Sequence, residues 1–186
     1  MRNVREDLVS AWYAYYLAEV TDALIEPADE ARIPFELLQA ALLGLEGGAD
    51  PTLLAPHYLL QLLSVLGYRP ELFRCLRCAA ELQAVVNFLS VAEGGVLCPA
   101  CGPGVPGARR IGVDELKLMR HLLRTPGVGT LALALPASLV AEVDRQVRAF
   151  VEHHLDRRLR SPEFIVRLQE LGHRIASLPA TAADAR

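Results

Sequence analysis

Apolar residues recur at helical spacing along most of the chain. Leu8, Trp12, Tyr15, Tyr16, Val20 and Leu24 repeat at intervals of mostly three and four, which predicts a helix over about Val4 to Ile25 with these side chains inward. Asn3 stands where a cap is needed, and Glu6 three residues on completes a capping box. The polar stretch EPADEARIP breaks the pattern. A second helix is expected from Pro34, a residue suited to a first helical turn, with Leu38, Leu42 and Leu45 inward, until EGGADP ends it. A third starts at Asp50-Pro51, with a kink or restart at Pro56. It runs through HYLLQLLSVLGY and stops at Gly67, with Pro70 just beyond.

The period changes after Pro70. AVVNFLSV is β-branched and aromatic, and GGVL follows a Glu-Gly-Gly turn, so the two predict short strands paired as a hairpin. GPGVPGARR reads as a Pro/Gly linker. Helical spacing returns over Val113 to Arg124 and stops at TPGVG. TLALALP is either an extended segment or a buried connection. Ser138 opens a fifth helix with Leu139, Val143, Val147, Phe150, Val151 and Leu155 inward. Ser161-Pro162-Glu163 starts a short sixth that ends at Gly172, and SLPATAADAR is a fraying tail. No internal repeat is visible. The expected fold is mainly α: a helical bundle made of residues 1–72 and 112–186, with a four-cysteine, zinc-ribbon-like β-hairpin module inserted at 73–111.

Composition agrees with one domain carrying a small insert: 186 residues, 52% hydrophobic. No apolar run reaches about 18 residues without a charge or a proline, so no membrane span is expected. The first residues mix charges and aromatics and lack the layout of a signal peptide. A reducing, cytoplasmic setting follows, in which cysteine pairs are metal or redox centres more often than disulfides. The formal net charge is −3, which by itself does not announce nucleic-acid binding. The charge is uneven, however. Residues 1–70 hold 10 acids against 4 arginines, and residues 71–186 hold 12 acids against 15 arginines and lysines.

All four cysteines fall in two C-x-x-C pairs, Cys75/Cys78 and Cys98/Cys101, with nineteen residues between the pairs. Each pair presents two sulfurs to one ion, and nineteen residues suffice for a hairpin that brings the second pair back, so the spacing points to zinc. An iron–sulfur cluster uses the same ligands, a redox dithiol usually sits in a βαβ setting that is absent here, and four free thiols in a packed loop are the remaining alternative. Four thiolates would fill the coordination shell, leaving no position for water or substrate, so the metal's role would be structural. Binding of zinc to a finger peptide is worth about 10–16 kcal/mol, comparable with the about 5–15 kcal/mol net stability of a domain.

No phosphate loop of either common pattern occurs, and none of the five histidines pairs with a nucleophile; the chain is not expected to be an enzyme. Its basic residues are more suggestive. Arg109 and Arg110 follow the cysteine module. Lys117, Arg120, His121 and Arg124 share one helical face, Arg145 and Arg148 lie on the fifth helix, and Arg157, Arg158 and Arg160 follow its end. Aligned, they would form a strip for phosphate or an acidic partner; unaligned, they are ordinary solvated surface.

The order of LLSVLGYRPEL, FRCLRC, NFLSVAEGGVLCPAC and FVEHHLDRRLRSPEFI resembles the C-terminal part of the bacterial recombination mediator family RecO, from about Leu8 to Leu168. The resemblance implies a DNA repair protein that binds single- and double-stranded DNA and anneals complementary strands. It would act with RecR, and sometimes RecF, to help load RecA onto DNA covered by single-strand-binding protein. It would also engage the C-terminal tail of that protein through the helical domain, in the bacterial cytoplasm and at the nucleoid. Cys75, Cys78, Cys98 and Cys101 match the family's metal ligands. The family normally begins with an OB-fold barrel, whereas this chain opens directly on the first helix of the bundle, so DNA binding by the chain alone is expected to be weaker. Two readings of other classes compete: a zinc-ribbon adaptor that binds only protein, and an enzyme with a zinc-stabilised lid, which the missing phosphate loop disfavours.

Overall fold

The computed structural model describes residues 7–25, 31–127 and 133–155. Among these lie five helices and three strands: α1 (Leu8–Leu24), α2 (Arg32–Glu46), α3 (Pro51–Val65), β1 (Asn87–Ser90), β2 (Gly95–Leu97), β3 (Arg109–Ile111), α4 (Val113–Arg124) and α5 (Ala137–His153). The protein is mainly helical, with a small antiparallel sheet and a cysteine cluster, as the sequence pattern predicts.

The bundle is organised around α3. Tyr58, Leu59, Leu60, Leu62 and Leu63 are fully buried, and α1, α2, α4 and α5 all pack against this helix. A helix apolar on every side has to be enclosed, and each of those leucines contributes about 1.5–3 kcal/mol by leaving water. The same enclosure explains Pro56. No break occurs there; α3 runs through it, with Pro56 buried among its neighbours. Asp50 caps the start of α3 by accepting from the Thr52 amide. At its end the Tyr68 and Gly67 amides donate to the carbonyls of Leu63 and Ser64, a Schellman closure that needs the positive φ of Gly67.

α1 begins at Leu8, later than the expected Val4, because the Asp7 carboxylate accepts from the amides of Val9 and Ser10. Asn3, the expected cap, lies outside the described residues. The buried stripe is also rotated from the expected one. Leu8 and Tyr15 are exposed, while Tyr13 and Leu17 join Trp12, Tyr16, Val20 and Leu24 in the core. On α2, Ala41 and Leu45 are buried and Leu38 and Leu42 only half-buried, and Ile33, Phe35 and Leu43 face outward. On α5 the expected inward set holds, with Leu139 and Leu155 half-buried.

The sheet order is β2-β1-β3. β1 and β2 form the expected hairpin, in the register Phe88↔Leu97, Leu89↔Val96 and Ser90↔Gly95. The end of the supposed linker is a third strand: β3 pairs with the other side of β1, Asn87↔Ile111, Phe88↔Arg110 and Leu89↔Arg109. Gly112 then leads straight into α4, whose bounds match those expected; its amide donates to the Glu115 carboxylate. Residues 133–136 have no regular structure. The expected sixth helix, the tail and Arg157, Arg158 and Arg160 lie outside the described residues. Among the described residues no helix is long and apolar enough to cross a membrane.

Candidate metal centre and basic groove

Two backbone turns bring the sulfurs together. In the first, the Leu82 amide donates to the Phe73 carbonyl and the Cys75 amide to that of Ala80, closing a small loop whose tip carries Cys75 and Cys78. Ala79 takes a positive φ there, 59°, with its amide donating back to the Cys75 carbonyl. In the second, just past β2, the amides of Cys101 and Gly102 both donate to the Cys98 carbonyl. The turns are tied to each other: the Leu76 amide donates to the Val96 carbonyl, and the Cys98 amide points at the Cys75 sulfur at 3.3 Å.

The four sulfurs all lie within 4.8 Å of one another, and Cys78 Sγ and Cys98 Sγ are 3.8 Å apart. None is in a disulfide. A tetrahedron with metal–sulfur bonds of about 2.3 Å has edges of about 3.8 Å, so the residues present fit a divalent ion. The electrostatics point the same way. Burial opposes ionisation of Cys75, but the amides of Cys78, Cys98 and Arg77 aimed at its sulfur outweigh it and hold the thiol down to about 6. Hydrogen bonding with Cys98, together with burial and the other sulfurs, pushes Cys101 up to about 12. Ionised sulfurs this close repel one another, so Cys101 keeps its proton, and a cation at their centre would remove that conflict.

Two glycines allow the cluster to close. A Cβ on Gly102 would stand 2.3 Å from Phe88 Cγ, and one on Gly95 would stand 2.4 Å from the Glu71 carbonyl oxygen. Glu71 itself joins the first turn to the hairpin. Its amide donates to the Gly94 carbonyl, and its carboxylate accepts from the amides of Phe73 and Arg74.

Among the described residues, the basic side chains singled out in the sequence fall in two places. On α4, Lys117 is exposed and 3.8 Å from the equally exposed Asp114. Arg124 is exposed and lies over the Phe73 ring, 4.2 Å from its centre. Arg120 is only half-exposed; its Nε donates to the Leu72 carbonyl at 2.7 Å, so it holds the cysteine module against the bundle. That clamp is absent from the sequence reading, although Leu116, Met119 and Leu123 put Arg120 beside the buried face of α4. His57 and Gln61 of α3 were likewise unsuspected. Their side-chain nitrogens meet the last carbonyls of α4, Nε2 of His57 lying 3.0 Å from the Thr125 oxygen and Gln61 donating to that of Leu122 at 2.8 Å.

The second place is a groove of about 500 Å³ between the sheet and α5, which Arg109, Arg110, Arg145 and Arg148 line together. None of the α4 cations lines it. Arg145 pairs with Glu142, and Arg148 donates to Asp144 at 2.6 Å while lying 4.7 Å from the centre of the Tyr16 ring. Burial pushes the Asp144 carboxyl up, against the pull of Arg148. His154, which caps α5, stacks on Tyr68 at 4.3 Å and is half-buried, so it is less solvated than its place at a helix end implies.

The family model described as "Recombination protein O C terminal" matches residues 5–163. Among similar proteins, the "DNA repair protein RecO" of Symbiobacterium thermophilum is 38% identical over 168 residues, covering 88% of this chain and 66% of that protein. The protein of the same name from Roseiflexus sp. is 36% identical over 163 residues, 88% of this chain and 58% of that one. The one from Anaeromyxobacter sp. strain K is 35% identical over 177 residues, 91% and 65% respectively. The chain thus spans between 58% and 66% of the length of these three relatives.

Proposed function

The chain belongs to the RecO DNA repair family through the recombination protein O C-terminal domain, and on that footing we propose that it is a non-enzymatic mediator of DNA repair and recombination. Its task would be to help load the RecA recombinase onto DNA covered by single-strand-binding protein, with RecR and the C-terminal tail of single-strand-binding protein as partners. It would work in the cytoplasm, at the nucleoid. The observation that carries this reading is the family match over residues 5–163, which takes in all five described helices and both cysteine pairs.

In this reading Cys75, Cys78, Cys98 and Cys101 hold a structural zinc ion, which supplies cross-linking of the two turns and no chemistry on a substrate. Residues 73–111 form the metal module, and 1–72 with 112–186 form the bundle. Arginines of this chain meet phosphates, so single- and double-stranded DNA are both ligands.

The test is anisotropy of a fluorescein-labelled single-stranded oligonucleotide, titrated with the whole chain between about 50 and about 200 mM salt. A mediator binds with affinity that falls steeply with salt. Absence of binding at the lowest salt, with RecR still captured, would replace this reading with that of a protein-only adaptor. One observation favours the adaptor: Ile33, Phe35 and Leu43 stand exposed on α2, where a protein partner could cover them.

A further inference from the structure

We infer that the groove between β3 and α5 is a phosphodiester-binding subsite, and that Arg109 and Arg110 are the residues that fill it with usable positive charge. The inference rests on the DNA-binding reading above and deepens it. It selects one place among the scattered basic residues and sets the α4 face aside.

The four guanidiniums of the groove are not equivalent. Arg145 and Arg148 are each held by a carboxylate of their own helix, Glu142 and Asp144, so their charge is largely cancelled where it stands. Arg109 and Arg110 have no carboxylate partner among the described residues, and both are exposed. They line the groove from a strand that is hydrogen-bonded along one side to β1, so their backbone is fixed there. The α4 cations are committed differently. Arg120 is spent on the Leu72 carbonyl, Arg124 lies on Phe73, and Lys117 stands beside Asp114.

The groove suits a sugar–phosphate backbone better than an acidic peptide. An extended peptide needs pockets for apolar anchors. Here Leu89, the cross-strand neighbour of Arg109, is buried, and the other apolar side chains of the lining, Val91 and Ala149, are small and half-buried, so they offer little to an anchor. What remains is charge and guanidinium geometry, which bind phosphate without reading bases. One exposed acid, Glu152, also lines the groove and opposes an anion there.

That acid makes the test two-sided. The whole chain and three variants, R109A/R110A, K117A/R124A and E152Q, are titrated into fluorescein-labelled oligothymidylate, into a labelled mixed-sequence strand and into a labelled acidic peptide across salt. Melting curves and zinc content are recorded for each. Expected are about tenfold weaker binding by R109A/R110A on both strands, and a salt dependence shallower by about one unit per arginine removed. E152Q binds about twofold to threefold tighter, a gain that misfolding cannot produce. K117A/R124A changes little. Unchanged affinity of both R109A/R110A and E152Q, with wild-type binding intact, overturns the groove and leaves the DNA reading standing. No binding by the wild type overturns both. Loss by R109A/R110A of a labelled acidic peptide, with oligonucleotide binding unaltered, overturns the phosphodiester assignment in favour of a protein partner.

Discussion

Arg120 Nε donates to the carbonyl oxygen of Leu72 at 2.7 Å, joining the middle of α4 to the segment that enters the cysteine module. A second nitrogen of the same guanidinium lies 3.4 Å from the Leu82 carbonyl, and the Phe73 ring lies beneath it. One side chain therefore spans both arms of the first cysteine turn, and it does so from the bundle. Arg120→Ala should leave the Leu72 carbonyl without its charged donor and cost about 1.5–3 kcal/mol, read as a lower urea midpoint. A stability change under about 0.5 kcal/mol together with weakened oligonucleotide binding would instead return Arg120 to the solvated strip.

His57 carries a pH dependence whose sign follows from its surroundings. Burial lowers its pKa from the ordinary 6.5, and Nδ1 is a buried atom with no hydrogen-bond partner among the described residues. The folded state therefore favours the neutral ring. As pH falls below about 6.5 the unfolded chain takes up a proton that the folded chain resists, so stability is complete above that value and declines beneath it. Urea midpoints between about pH 5 and 8 should show the decline, and His57→Gln should flatten it. A wild-type profile as flat as the variant's would remove His57 as its source.

Cys75→Ser or Cys98→Ser should empty the metal centre and unfold the module. Because Arg120 ties that module to the bundle, the bundle should loosen with it. A loss of more than about 3 kcal/mol and of bound zinc by elemental analysis is expected, and a chelator should reproduce the effect in the wild type. Retention of one metal ion per chain and an unchanged melting temperature in either variant would contradict this.

Gly102→Ala should cost about 1–3 kcal/mol, since its new methyl group would meet Phe88 Cγ 2.3 Å away. Adding Phe88→Ala makes room, so the double variant should lose less than the sum of the two single losses. Additive losses would show that the close approach of the second turn to Phe88 does not govern this position. Gly95→Ala should be worse and not rescued by side-chain changes, because it meets the Glu71 carbonyl oxygen.

Much of the fold could be read along the chain because its signals act over a few residues. The start of α4 is marked by the Gly112 amide reaching Glu115, three positions on. The end of α3 follows from a glycine in the left-handed conformation with Pro70 after it. The hairpin follows from two short apolar runs and the turn between them, and the gathering of the four sulfurs from the spacing of the cysteines. Where the reading went astray, the deciding partner was remote. Tyr13, and not Tyr15, is buried because of where α3 and α5 lie against α1, and the helical period alone leaves that rotation open by one residue.

The amino-acid sequence alone determined the mainly helical class and the meeting of the four sulfurs, because caps, turns and ligand spacing are properties of neighbouring residues. Only the tertiary structure decided that 109–111 is a strand, that Pro56 stays inside a helix, and that Arg120 faces a carbonyl while Arg109 faces a groove. Each of those depends on which backbone or side chain arrives from tens of residues away, and a long guanidinium takes its role from whatever acceptor the fold brings within its reach.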